Sequence, residues 1–175
     1  MLVRGSGIRD VGKVLGISMG CVLRCLLSAA QGLVIRPTYN HYHRVQIDEV
    51  YTFVGSKKKK VWLLYAYAQE EDEILALTLG KRSKKTLKDL LKRLGDVRVN
   101  FWCTDGWKVF GQVLPADEHL VGKQFTKAIE GVNTCLRARC RRLHRRTTGF
   151  SKKVRNHWDA IRLVVHQRNA RPSYN

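Results

Sequence analysis

Apolar residues recur at helical intervals near the start of the chain. Ile8, Val11, Val14 and Leu15 mark one face of a short helix. Gly16 interrupts the rhythm, and Ser18 is placed to cap a second helix carrying Val22, Leu23, Leu26 and Leu27. Helix, glycine turn and helix make the helix-turn-helix pattern, whose second helix enters the major groove of DNA, but an ordinary αα-hairpin has the same pattern. Residues 29–42, with Gly32 and Pro37, read as a linker.

Beyond the linker the period changes. "HRVQIDEVYTFV", "KVWLLYAYAQ" and "EILALTLGK" are rich in β-branched and aromatic residues, and predict three strands. "GSKKKK" reads as a basic hairpin loop and "EEDE" as a turn. "SKKTLKDLLKRLG" predicts an amphipathic helix capped by Ser83, striped by Leu87, Leu90, Leu91 and Leu94, and ended by Gly95. "VRVNFWCT" predicts a fourth strand, "GWKVFGQVL" a short helix and "HLVGK" a fifth strand. A long basic helix is expected over 126–147, and a last helix over 152–170. Three strands in a meander, a helix, then a strand returning parallel to the first make a mixed α/β fold. That order resembles the ribonuclease H-like fold, a mixed sheet flanked by helices.

Charge changes the picture most. The 175 residues hold 33 Lys and Arg against 14 Asp and Glu, a net charge of +19. Such an excess attracts polyanions, and counterion release makes nucleic acid the first candidate ahead of anionic membranes or ribosomal RNA. No run of 18 apolar residues suggests a membrane span. Five cysteines without C-x-x-C spacing (Cys21, Cys25, Cys103, Cys135, Cys140) point to reduced thiols in a cytosol.

In so basic a chain the acids are the informative residues. Most, including Glu73 in the "EEDE" turn and Asp159 on the last helix, read as solvated charges among Lys and Arg. Asp48 interrupts the first strand, Asp105 ends the fourth, and Glu130 lies near the start of the basic helix. If the first and fourth strands are adjacent and parallel, Asp48 and Asp105 converge at one sheet edge. Carboxylates held together repel, which raises a pKa or recruits a hard cation such as Mg²⁺ or Mn²⁺. Against this, a strand-end Asp also caps the helix expected at Trp107, and a first-turn Glu suits the helix dipole. Both readings of Asp105 stay open on local chemistry alone.

"DEVYTFVG", "KVWLLYAY", "CTDGW", "LVGK", "IEGVN" and "LRARCRRLHRRTTGFSKK" occur in this order. Together with "GSGIRDVGKVLGIS" they resemble the transposases of the insertion-sequence-one family of bacterial mobile elements. The interval of 24 residues between Asp105 and Glu130 (130 − 105 − 1) is the one this family shows between its second and third catalytic acids. The resemblance implies an Asp48, Asp105 and Glu130 triad holding Mg²⁺ or Mn²⁺, with two ions expected. It implies a DNA-binding segment at 1–35 and a ribonuclease H-like catalytic domain at 36–175. Double-stranded DNA, as terminal inverted repeats and target, is the expected partner, and a homo-oligomer the expected active form. The expected location is a bacterial cytoplasm, at the nucleoid. Arg137, two helical turns beyond Glu130, Asn133 on the same face, Arg139, Lys123, Ser18 and Arg24 are the expected DNA contacts. His157 and Trp107 are auxiliary candidates, the latter as a platform for an unpaired base or simply as a core residue.

Two departures stand out. Gly131 occupies a position where the family usually has Arg, and no Cys-rich zinc-binding segment precedes the first helix pair. The chain therefore fits either a shorter or a degenerate product of its element. A catalytically inactive DNA-binding repressor and a nuclease that cleaves without joining are the competing readings. Cys135, Cys140 and the histidines His119, His144, His157 and His166 lack zinc-site spacing, and read as structural thiols and surface histidines.

Overall fold

The computed structural model describes residues 1–144 and 149–170, which form two compact units. One comprises residues 35–50 and 61–133 of the described chain, and the other residues 1–34, 51–60 and 134–170.

The first of these is built on a five-stranded mixed sheet ordered β3-β2-β1-β4-β5. Its strands are β1 (His41–Phe53), β2 (Lys60–Ala68), β3 (Glu73–Gly80), β4 (Arg98–Thr104) and β5 (His119–Val121). β2 and β3 are antiparallel, with a bulge between Ala66 and Tyr67. β4 runs parallel to β1, and β5 parallel to β4. Parallel pairing demands a long crossover, here supplied by β2, β3 and the helix α3 (Lys84–Leu94). The Ser83 hydroxyl accepts the Thr86 N–H at 3.4 Å, and Gly95 ends α3 with a positive φ of 68° and ψ of −140°. α3 lies on β3 with Leu87, Leu90 and Leu94 buried. Val45, Ile47, Leu64, Ala66, Leu75, Trp102 and Phe110 complete this core. Near-continuous burial from Leu63 to Ala68 explains why β2 reads as an apolar run rather than an alternation.

The other unit is mainly helical. α1 (Ile8–Leu15) and α2 (Met19–Ala29) meet at Gly16, φ 65°, with their axes bent by 114°. Ser18 caps α2 by accepting the Cys21 N–H at 3.1 Å. α1 packs on α2, and α2 on α5 (Val154–Asn169). Val11, Val22 and Leu26 are buried as their spacing requires, but Val14 and Leu15 are 70% and 54% exposed. The first helix thus turns only half of its expected apolar face inward. No single helix among the described residues is long and apolar enough to cross a membrane.

Three expectations change. The basic helix α4 spans only Lys127–Arg139, because buried Cys140 leaves helical geometry at φ −120°, ψ 93° and a 3-10 turn at Arg141–Leu143 follows. Residues 145–147 of the expected helix lie outside the described residues. The helix expected after Trp107 is a single 3-10 turn, Phe110–Gln112. Glu73 and Asp159 are not solvated. Glu73 accepts hydrogen bonds from Thr38 Oγ1 (2.7 Å) and Tyr42 Oη (2.9 Å), and buried Asp159 pairs with Arg162.

Candidate active site

A constant offset of 57 residues relates β1 to β4: His41 pairs with Arg98 and Gln46 with Cys103 (98 − 41, 103 − 46). Asp48 and Asp105 carry the same offset (105 − 48), two residues beyond the last printed pair of that ladder. Asp48 lies within β1, which runs on to Phe53, and Asp105 just past the end of β4, so continuing the register sets the two side by side. The chain turns at once after β4, and Asp105 Oδ1 accepts the Trp107 N–H at 2.9 Å. Asp105 thus organises a turn with one oxygen rather than capping a helix, since the helical turn that follows begins only at Phe110.

Helix α4 supplies the third acid, and two side chains from the sheet fix its first turn. A helix leaves its first N–H groups without intrahelical partners. Gln46, 3% exposed on β1, fills this need by accepting the Ile129 N–H at 2.9 Å, while its Nε2 donates to Gln69 Oε1. Tyr65 on β2 donates its hydroxyl to the Ile129 carbonyl (3.2 Å) and to Asn133 Oδ1 (2.8 Å). Asn133 Nδ2 then donates to Asp48 Oδ2 at 2.6 Å. Tyr65, Asn133 and Asp48 form one relay tying α4 to β1. Glu130, adjacent to the doubly held Ile129, has an exposed side chain.

Burial pushes the Asp48 carboxyl above its usual pKa. Hydrogen bonds from Asn133 and the Glu49 N–H oppose the shift, while the charges of Asp105 and Glu130 reinforce it. Mutual repulsion of this kind is what a cation relieves. Hard carboxylate oxygens suit Mg²⁺ or Mn²⁺ in kind. Both Asp48 oxygens, however, already accept hydrogen bonds: Oδ1 from the Glu49 N–H at 2.7 Å, Oδ2 from Asn133. Among the described residues no three His, Cys, Asp or Glu side chains are grouped closely enough to hold one ion.

A fourth acid escaped the sequence reading. Glu49 has a side chain only 5% exposed, and its Oε2 is buried without a hydrogen-bond partner among the described residues. Burial raises its pKa, Arg82 lowers it, and the charges of Asp105 and Asp48 raise it. Arg82 donates through Nε to Glu49 Oε1 at 2.6 Å, and Nη2 pairs with the same oxygen. The only signal was position beside Asp48, which alternation assigns to the opposite strand face.

The remaining candidates are spread out. Trp107 packs edge-on against Phe110 at 5.1 Å and carries the Arg82 guanidinium over its ring at 4.6 Å. Lys123 is exposed after β5, and Gly131 is exposed with open space around its Cα. Ser18 uses its hydroxyl as the α2 cap, while Arg24 is exposed on that helix. Arg137 donates through Nη1 to the Leu143 carbonyl at 3.0 Å, and Arg139 is half-buried. His157 is not a surface histidine. It is fully buried in the helical unit between Thr52 Oγ1 (3.2 Å) and Ser151 Oγ (3.3 Å), and burial with the nearby Arg142 charge lowers its pKa to about 4.

Residues 44–170 match the profile of the family described as IS1 transposase. "Insertion element iso-IS1n protein InsB" of Shigella dysenteriae is 41% identical over 122 residues, covering 70% of this chain and 93% of that protein. "Insertion element IS1 protein InsB" of Shigella flexneri is 37% identical over 112 residues, 64% of this chain and 86% of that protein. A solved chain in the "simian T-cell lymphotropic virus intasome in complex with PP2A regulatory subunit B56 gamma" aligns over 99% of this chain and 72% of its own, with a TM-score of 0.45 and 14% identity. The extent of the profile match and the Shigella dysenteriae relative decide the matter: the chain belongs to the IS1 transposase family.

Proposed function

We propose that this chain is a DDE transposase that cleaves the ends of its insertion sequence and joins them to target DNA through Asp48, Asp105 and Glu130. The observation that carries the reading is the shared 57-residue offset that sets Asp48, within β1, beside Asp105, just past the end of parallel β4, with Glu130 on the helix that Asn133 ties to Asp48. The sheet order and strand directions support a ribonuclease H-like catalytic domain over residues 36–175.

Asp48, Asp105 and Glu130, not grouped here closely enough to share one ion, would be the residues to hold Mg²⁺ or Mn²⁺, which would activate the attacking oxygen and stabilise the leaving one in phosphodiester transfer. Asp48 keeps its place through Asn133, and the Asp105 turn keeps Oδ1 aligned on the Trp107 N–H. The two-helix unit at residues 1–35 is assigned to DNA, its glycine turn and 114° bend supporting a helix-turn-helix with Ser18 and Arg24 at the groove. Arg137, Arg139, Lys123 and Asn133 are assigned to phosphate, in an oligomer working on DNA in the cytoplasm.

Strand transfer on DNA bearing the element's ends, with Mg²⁺ or Mn²⁺, tests the reading. Asp48→Asn, Asp105→Asn and Glu130→Gln are each expected to lower cleavage and joining by at least 10³-fold while DNA affinity stays within threefold. Full activity in any one of them removes that residue from the triad. A repressor is the second reading, favoured by Asp48 having both oxygens engaged. DNA binding by the unaltered chain with no cleavage under either metal would select it.

A further inference from the structure

We infer that Arg82 is a DNA-backbone phosphate receptor beside the acidic site, oriented for that task by Glu49 and Trp107. The inference rests on the reading of Asp48 and Asp105 as the reaction centre. Arg82 lies in the short turn between β3 and α3, where a long side chain would ordinarily wave in solvent. Here it is tied on two sides. Nε and Nη2 both engage Glu49 Oε1, and the guanidinium lies 4.6 Å from the Trp107 ring centroid and 5.4 Å from that of Trp62. These contacts fix the plane of the fork without using all of its donors. An arginine has five N–H groups; the side chain is 38% exposed, and among the described residues the Glu49 contacts run through Nε and Nη2, leaving the Nη1 edge outside the pair.

Glu49 is buried, and the desolvation a buried ion pair costs offsets much of its attraction, so stability alone is a weak reason for this arrangement. Glu49 is also a poor partner for Arg82 to be saturated by. Only Oε1 is engaged, and Oε2 stays buried and without a donor. The place of the fork is more telling. Glu49 follows Asp48 directly, and Trp107 belongs to the turn that Asp105 organises. A planar donor fork held on that turn suits a phosphodiester phosphate flanking the reacting one. It would also offset the repulsion between a DNA strand and the site's carboxylates.

The test is fluorescence anisotropy of the full chain on a labelled 30-base-pair duplex carrying the element end, in Ca²⁺, across a salt series. Arg82→Gln is expected to weaken binding about five- to tenfold and to flatten the slope of log affinity against log salt by about 0.9, the value for one phosphate contact. Arg82→Lys keeps the charge and is expected to restore the slope but not the affinity. Glu49→Gln removes the ion pair and keeps the shape, so binding should hold or tighten. An unchanged slope in Arg82→Gln, or equal losses in Glu49→Gln and Arg82→Gln, overturns the inference, since either result makes the pair purely structural. Circular dichroism of each variant confirms folding. The slope needs no turnover, so an active Asp105→Asn would sink the triad and leave the phosphate contact standing.

Discussion

Single residues in this chain owe their state to partners far away in sequence. His157 has neutral contacts, Thr52 and Ser151, and a cationic neighbour, Arg142, so its protonated form is disfavoured. Its pKa of about 4 lies below the 6.5 of an unfolded histidine. The unfolded chain therefore binds the extra proton first, and the histidine's contribution is present above pH 6.5 and lost as pH falls toward 4. Linkage over that gap is on the order of 3 kcal/mol. Urea unfolding at pH 7 and pH 4.5 should show His157→Gln losing less stability on acidification than the parent, and an equal loss would refute the assignment. Tyr42 works in the opposite range. Its hydroxyl accepts the Thr38 and Tyr39 N–H groups and donates to Glu73, and burial pushes its pKa up to about 12. Its stability term is intact below pH 10 and fades between 10 and 12, a dependence Tyr42→Phe should abolish at a cost of about 1–3 kcal/mol at pH 7. Neither residue could be read locally. Glu73 looked like a surface charge because its partners Thr38 and Tyr42 are distant in sequence, and Asp159 because the burial of its helix face, rather than its i+3 partner Arg162, is a matter of folding. Glu49 was hidden by its neighbour.

At the scale of elements, periodicity was reliable wherever one physical cause dominated. The five strands and α3 follow apolar spacing and cap chemistry, and their ends fall within a few residues of expectation. The long basic helix did not, because arginines favour helices in isolation while burial of Cys140 ends α4 early. Val14 and Leu15 fit a helix face but sit outside the part that α2 covers. The β3–α3 corner offers a sharper test. A Cβ added at Gly80 would stand 2.8 Å from Thr86 Oγ1, which is held by its own bond to the Lys81 carbonyl at 2.7 Å. Gly80→Ala should lower stability by about 1–3 kcal/mol in chemical unfolding, and Ser83→Ala, a lost cap, by about 1 kcal/mol. If Gly80→Ala is neutral, the corner is not rigid and Arg82 is not fixed by it.

For the whole molecule, the net charge of +19 sets how strongly and how indiscriminately DNA is attracted. With six to ten phosphates engaged, affinity for unrelated duplex should fall about 10³- to 10⁵-fold between 50 and 200 mM salt. A fall of less than tenfold in a filter-binding series would mean that most of the positive charge serves other ends. The mixed sheet was legible from the order of strands and helices, because a short loop forces antiparallel pairing and only a long crossover permits a parallel one. The meeting of Asp48 and Asp105 depended on that single inference. The grip on α4 by Gln46 and Tyr65 left no trace, since uncharged polar residues inside strands have no period to betray them.

That grip has a consequence in time. The bond from Ile129 N–H to Gln46 joins residues 83 positions apart. The first turn of helix α4 thus has one of its N–H groups satisfied only when the sheet reaches it. A ribosome releases Asp48 and Asp105 well before the segment bearing Glu130 can dock. On the proposed reading the three acids come together only once that bond has formed, so the site would be completed after the sheet that carries two of them.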